Sequence, residues 1–311
     1  MMMRRAGLVL LVAMGWAVAG CASTPERAEE QQQEENLAPG IWDVHQGASI
    51  TFEDLLERLG DATFVVVGET HGVSWHHEVQ YEIYQGLSVE RPGEVALGME
   101  MIEGRFQSAV DDYLAGEIDE AQMLTEVEWY DRWRVDDGHY APMWQLAREL
   151  EQPVVALNAR RELVRVVGEV GIDQVGAREQ ELLPELDRDD RAYREHLRQS
   201  FALHGHTADR EAELDKFFEA QLVWDETMAE RAWSFIDGGG AAQMVLLTGR
   251  GHMERGFGVP PRLVRRGAAA EDVVTVVPVS TRGSRAAAMD SYRRLLFLQE
   301  EGIADYVWIQ E

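Results

Sequence analysis

Five short apolar runs, rich in β-branched residues, punctuate this chain: TFVVVG (63–68), EVALGME (94–100), PVVALN (153–158), QMVLLTG (243–249) and VVTVVPV (273–279). None is long enough for a buried helix, and none alternates cleanly with polar residues. Each therefore reads as a strand buried on both faces. Longer stretches with helical spacing lie between them, at 51–59, 74–87, 105–115, 120–128, 140–150 and 161–167, with Ser74 the expected N-cap of the second. Strands alternating with helices predict an α/β fold, a mostly parallel central sheet flanked by helices. The gap between Asn158 and Gln243 is mostly helical, most clearly at 189–204 and 208–236. It reads as a helical insertion over about 160–238, packed over the carboxyl end of the sheet. The tail ADYVWIQ (304–310) is expected to add a last strand at an edge.

Polar residues follow these strands in a consistent way. The first run ends in Gly68-Glu69-Thr70-His71, the second in Glu100, the third in Asn158 with Arg160 after it, and the fourth in Gly249-Arg250-Gly251-His252. In a parallel sheet those ends gather on one edge, where ligand sites of open α/β sheets form. Glu69, His71, Glu100 and His252 have the mixed oxygen and nitrogen donors that suit zinc, iron or manganese. The same four residues also suit carboxylate–histidine acid/base work, with Glu69 or His71 activating water. A purely structural role, with carboxylates capping backbone amides, is the plainer alternative.

A second feature is aromatic. His77, Tyr81 and Tyr84 fall at i, i+4 and i+7, on one face of the 74–87 helix. EWYDRW (128–133) brings Trp129, Tyr130 and Trp133; HYAPMW (139–144) brings His139, Tyr140 and Trp144. Aromatic stripes are most often core. Phenols, imidazoles and indoles together are also what a haem pocket requires, with Tyr or His on the iron and flat faces over the macrocycle. His196, His204 and His206 are better read as exposed residues of a polar helical segment.

Several sharper motifs fail. His77-Glu78-Val79-Gln80-Tyr81 has tyrosine where a zincin needs its second histidine. Gly72-Val73-Ser74 has His76 where a nucleophile elbow needs glycine. Gly249-Arg250-Gly251 has Glu254 where a dinucleotide loop needs its third glycine, and the single lysine, Lys216, has no glycine-rich approach. NAD, ATP and a serine triad are thereby disfavoured.

Charge and cysteine content narrow the setting. Lys+Arg is 29 against Asp+Glu 56, a net charge of −27. A field of that sign repels nucleic acid and anionic membranes. The one cysteine, Cys21, excludes an intrachain disulfide and any cysteine-rich metal site. It follows a basic start (MMMRR), an apolar run and VAGC, the pattern of a secretory signal over 1–20 with lipidation of Cys21 after cleavage. Residues 21–40, polar, acidic and glutamine-rich, read as a disordered lipidated tether, and 41–311 as a single domain. The expected location is the cell envelope, on the outer membrane or periplasmic face, with a lipid anchor rather than a spanning helix.

With these pieces in place the chain resembles the ChaN family of haem-binding bacterial lipoproteins, within the wider Tiki/TraB-like superfamily. GETH with His76-His77, LGMEM (97–101), EWYDRWRVDDGHYAPMWQLA (128–147) and VVALNARRELV (154–164) match in order. So do AQLVWDETMAE (220–230), with Gln221, Trp224, Asp225 and Met228, LTGRGHMERGFGVPPRL (247–263), and ADYVW near the end. The resemblance implies haem binding in haem or iron acquisition, in a haem-linked homodimer, with envelope haem-transport proteins as partners. It places a tyrosine on iron, Tyr140 first and Tyr130 second, with His77, Tyr81, Trp129, Asn158 and Arg160 as further haem contacts. In this family an Asp commonly follows GETH; here Gly72 stands there. The wider superfamily includes metal-dependent peptidases and esterase-like hydrolases, which makes a hydrolase built on Glu69, His71, Glu100 and His252 the second expectation.

Overall fold

The computed structural model describes residues 39–203, 210–280 and 302–310. The expected signal, Cys21 and most of the tether, with His204 and His206, lie outside the described residues. Eight strands are present among the described residues: β1 (Gly40–Asp43), β2 (Ala48–Ile50), β3 (Phe64–Glu69), β4 (Val95–Glu103), β5 (Val154–Asn158), β6 (Gln243–Gly249), β7 (Val273–Ser280) and β8 (Tyr306–Gln310). They form one sheet in the order β2-β1-β8-β7-β3-β6-β4-β5. From β8 to β5 every neighbouring pair is parallel; β1 is antiparallel to both β8 and β2.

All five apolar runs are strands. The tail forms β8, but β8 is not an edge. It pairs with β7 on one side and β1 on the other, because the short hairpin of β1 and β2 covers it. Strands of four and three residues carry too little alternation to be seen in sequence.

The helices most relevant to the site are α1 (Phe52–Gly60), α2 (Ser74–Ser88), α3 (Gln107–Leu114), α4 (Glu120–Glu126), α5 (Trp129–Arg132), α6 (Ala141–Glu149), α7 (Arg161–Val170), α8 (Ala177–Gln180), α9 (Arg191–Leu203), α10 (Glu211–Asp237) and α11 (Val259–Arg266). Helix α1 begins at a capping box in which Thr51 and Asp54 each accept the other's backbone N–H. Helix α2 does not use Ser74 as its cap. Ser74 is already its first residue, Val73 is the N-cap, and no side chain caps it.

The two faces of β3 show how the sheet is buried. Val65 and Val67 join a core with Val79, Ile83 and Tyr84 of α2 and Trp144 of α6. Phe64 and Val66 join a second core with Met228, Ala229 and Ala232 of α10. Successive side chains of a strand point to opposite faces, so a run buried on both sides must be apolar throughout. Helix α10 packs along β5 and α7, and its middle reaches the carboxyl edge of the sheet. Among the described residues no helix is long and apolar enough to cross a membrane.

Candidate functional site

The carboxyl ends of β3, β6, β4 and β5 lie side by side, and Gly249 sits at their centre. It pairs with Glu69 across the β3–β6 ladder and donates its N–H to Glu100 Oε2 at 2.6 Å. A Cβ on Gly249 would come within 3.0 Å of His71 Cε1 and 3.6 Å of Glu100 Oε2. Glycine is therefore what allows the imidazole and the carboxylate to share this spot. Strand β4 extends past Glu100 to Glu103, but its ladder with β5 slips between Met99 and Glu103. Glu100 is the first residue of that irregular stretch.

Two hydrogen-bonded chains meet here. In the first, buried Glu69 is surrounded by donors. Oε1 accepts from Tyr140 Oη at 2.7 Å and from His71 Nδ1 at 2.5 Å; His77 Nδ1 lies 2.8 Å from Oε2. Burial alone would raise the Glu69 pKa. The contacts from His71, His77 and Tyr140 outweigh it and hold it at about 2. Burial likewise opposes protonation of His71, yet the Glu69 hydrogen bond and the nearby Glu100 charge raise its pKa. The Tyr140 pKa is raised by burial and by the Glu69 charge. His76 is held differently. Its Nδ1 accepts the Thr70 N–H at 2.8 Å, and burial with the Arg250 charge lowers its pKa to about 4. His76 is thus a neutral brace for the GETH turn.

In the second chain His252 Nδ1 donates to Asp225 Oδ1 at 2.6 Å, and Asp225 Oδ2 accepts from Tyr193 Oη at 2.6 Å. His252 Nε2 lies 3.5 Å from Glu100 Oε1. Burial would lower the His252 pKa, but Glu100 and Asp225 outweigh it and push it up to about 9. At neutral pH His252 carries a proton between two carboxylates.

The four strand-end residues therefore do converge, but not as an ion cage. Among the described residues no group of three or more His, Asp or Glu side chains is arranged to hold a metal. The physical reason is prior engagement. Glu69 Oε1 accepts two hydrogen bonds, Glu100 serves a backbone amide, and His71 and His252 each spend Nδ1 on a carboxylate. The zinc, iron or manganese expectation finds no support in this arrangement. What remains is a pair of carboxylate–histidine units, an acid/base arrangement.

The aromatic candidates separate. Tyr140 is fully buried and committed to Glu69; Tyr130 is 63% exposed, its hydroxyl donating to Asp137 Oδ1 at 3.1 Å. Trp129 is core, its indole N–H bonded to the Val135 carbonyl and its ring edge-on to Tyr140 and Trp144. Tyr84 also belongs to the core. His77 and Tyr81 instead line a cleft of about 700 Å³ between α2 and residues 138–142, which brings His139 and Pro142 to its other wall. His77 and His139 stack at 4.6 Å. Asn158 and Arg160 lie elsewhere, in a separate cleft at the end of β5. His196, expected to be exposed, stacks on Phe257 at 4.6 Å. Tyr193 was not legible as a site residue, since a lone tyrosine in a charged helix gives no signal. Asp225 was visible only through the Trp224-Asp225 pair.

The family model described as haem-binding uptake, Tiki superfamily, ChaN matches residues 55–263, most of the chain. The chain belongs to the ChaN family. Among solved structures, this ChaN-family chain is similar to ChaN of Campylobacter jejuni, described as showing cofacial haem binding. The two share 18% identity and a TM-score of 0.64, over 88% of this chain and 96% of that one. At that identity the likeness shows a shared fold. An erythromycin esterase mutant, EreC, in its open conformation is more distant, at 14% identity and a TM-score of 0.46, over 74% of this chain and 73% of that one. The type III effector HopBA1 follows at 15% identity and a TM-score of 0.42, covering 83% and 91%. No curated protein matches the sequence. The residue after GETH, Gly72, has φ +74°. Glycine takes that left-handed conformation without strain, which suits it to the turn.

Proposed function

We propose that this protein is a lipid-anchored haem-binding protein of the cell envelope, working in haem or iron acquisition. Family membership supports haem as the ligand, and one observation in the site carries the reading. His77 sets Nδ1 between Gln80 Oε1, at 3.3 Å, and Glu69 Oε2, at 2.8 Å, and is left with a buried Nε2 that has no partner among the described residues, in a side chain that lines the 700 Å³ cleft. A histidine whose other nitrogen is fixed by a carboxylate is the arrangement that makes a good iron ligand. The cleft falls in the size range of cofactor sites. Haem would supply an iron centre and a flat apolar macrocycle. His77 and His139 offer imidazole nitrogens and Tyr81 a phenol on the wall, while Tyr130 is an exposed phenol bonded to Asp137, which precedes the cleft residue Gly138. Tyr140 is less suited to iron, because its phenol is spent on Glu69 and its raised pKa disfavours phenolate. Anchoring through Cys21, a haem-linked homodimer and envelope haem-transport partners complete the proposal.

The test is a hemin titration of protein lacking residues 1–21, followed in the Soret band. Saturable binding weakened by His139→Ala and by Tyr81→Phe with Tyr130→Phe is expected; no saturable change sinks the assignment. Sedimentation with and without hemin reads the dimer, and Cys21→Ser reads the anchor by loss of the membrane-bound fraction.

The two carboxylate–histidine units favour a second reading, a metal-free hydrolase. Asp225 orients His252 toward Glu100, and half-exposed His71, backed by Glu69, faces the same crevice. His71 would take a proton from water and His252 would give one to a leaving group. Turnover of simple aryl esters that survives a chelator and is lost in His71→Ala would establish it; no turnover above the double variant His71→Ala/His252→Ala refutes it.

A further inference from the structure

Asn158 and Arg160, separated from the aromatic cleft, lie in one with its own chemistry. It is about 320 Å³ in volume, and Arg105, Asn158, Arg160, Thr227 and Arg231 contribute its polar lining. Many arginines of this acidic chain are spent on carboxylates. Arg132, for example, is held by Glu103, Glu128 and Glu162. Arg105 pairs with Glu103 at 2.9 Å and lies 3.8 Å from Glu162 and 3.9 Å from Glu128, so its charge is already balanced. Arg160 and Arg231 have no carboxylate partner among the described residues. Arg231 donates Nε to the Ala156 carbonyl, which fixes the guanidinium and leaves its terminal N–H groups for the cleft. Its charge is costly there, since burial lowers its pKa and only the adjacent Glu230 acts in its favour.

Two local features point the same way. Gly104 makes room for the guanidinium: a Cβ there would sit 2.5 Å from Arg231 Cζ. Helix α7 starts at the cleft with Arg160 as N-cap and no cap hydrogen bond from its side chain, although Glu162 of the first turn already bonds its own backbone amide. The Asn158 side-chain oxygen is buried without a partner. The amide's orientation is interchangeable, so it can present its NH2 instead.

We propose that this cleft is an anion site for a phosphate group, either free phosphate or the terminal phosphate of a small monoester. The Arg160 and Arg231 guanidiniums come from two separate elements and line one cleft with Arg105 beside them, which suits a tetrahedral dianion better than a planar carboxylate. The site lies one strand from Glu100, on the same edge of the sheet, and is distinct from the haem cleft.

The test is calorimetric titration of protein lacking residues 1–21 with inorganic phosphate and with glycerol phosphate. Saturable binding is expected, weakened by roughly tenfold or more in Arg160→Gln, an exposed position that tolerates the change, and in Gly104→Ala, which displaces Arg231. Tighter binding of the ester identifies a monoester as the ligand; equal binding identifies free phosphate. No saturable heat with either probe, or an unchanged affinity in Arg160→Gln, overturns the proposal. Hemin binding should be unaffected by Arg160→Gln and by added phosphate. Competition between the two would assign the arginines to a haem propionate and overturn a separate site.

Discussion

Asp225→Asn is the most informative single change. Asp225 is fully buried, and its two oxygens accept from His252 and Tyr193. The asparagine is nearly isosteric, so packing is kept while one of the two charges that hold the His252 proton is removed. His252 has a pKa of about 9 in the fold against an ordinary value of 6.5, which corresponds to roughly 3 kcal/mol of linked stability. Because the folded pKa is raised, that contribution is fully present below about pH 6.5 and is lost as pH rises through about 9. Glu100 remains in the variant, so part of the effect survives. Urea unfolding at several pH values is the assay. Asp225→Asn should be less stable than the parent by roughly 2–3 kcal/mol at pH 6, with the deficit falling below about 1 kcal/mol by pH 10. In parallel, the His252 ring signals should titrate at lower pH in the variant. A deficit that is the same at pH 6 and pH 10 would show that Asp225 acts through hydrogen bonding and packing, and would refute the charge argument.

Other outcomes follow from the same geometry. The low Glu69 pKa, about 2, should supply stability that is present above its ordinary 4.5 and disappears as pH falls toward 2; Glu69→Gln should flatten that acid limb in a stability–pH profile. Glu69→Gln should also lower the His71 pKa, read by imidazole NMR, since Glu69 is its hydrogen-bond partner. Gly249→Ala should force His71 aside and cost about 1–3 kcal/mol in urea unfolding, with a changed His71 titration as its specific mark. Leu97→Ala, in the middle of β4 and fully buried, should cost about 2–5 kcal/mol without moving either histidine titration.

Much of the fold was legible because a strand buried on both faces has to be continuously apolar, and five such runs are visible. The convergence of Glu69, His71, Glu100 and His252 was legible for a related reason: parallel strands put all their carboxyl ends on one edge. Less could be seen where pairing depends on partners distant in the chain. The β1–β2 hairpin, which turns β8 from an edge into an interior strand, is too short to leave a pattern. The helical repeat of His77, Tyr81 and Tyr84 was readable, but an i, i+4, i+7 stripe spans an arc. Packing alone sends Tyr84 into the core, leaves Tyr81 on a cleft and puts His77 between Glu69 and that cleft.

By itself the sequence determined the α/β class, the strand ends that build the crevice, and the ChaN resemblance. Only the tertiary structure decided what those ends do together. Carboxylates and histidines have the same composition whether they cage a metal or bond to one another. The choice was made by Asp225 and Tyr193 arriving from the helical segment, and by Gly249 leaving space for His71. Hydrogen bonds reach about 3 Å, and residues 27 and 71 positions apart meet that condition only once the chain has folded.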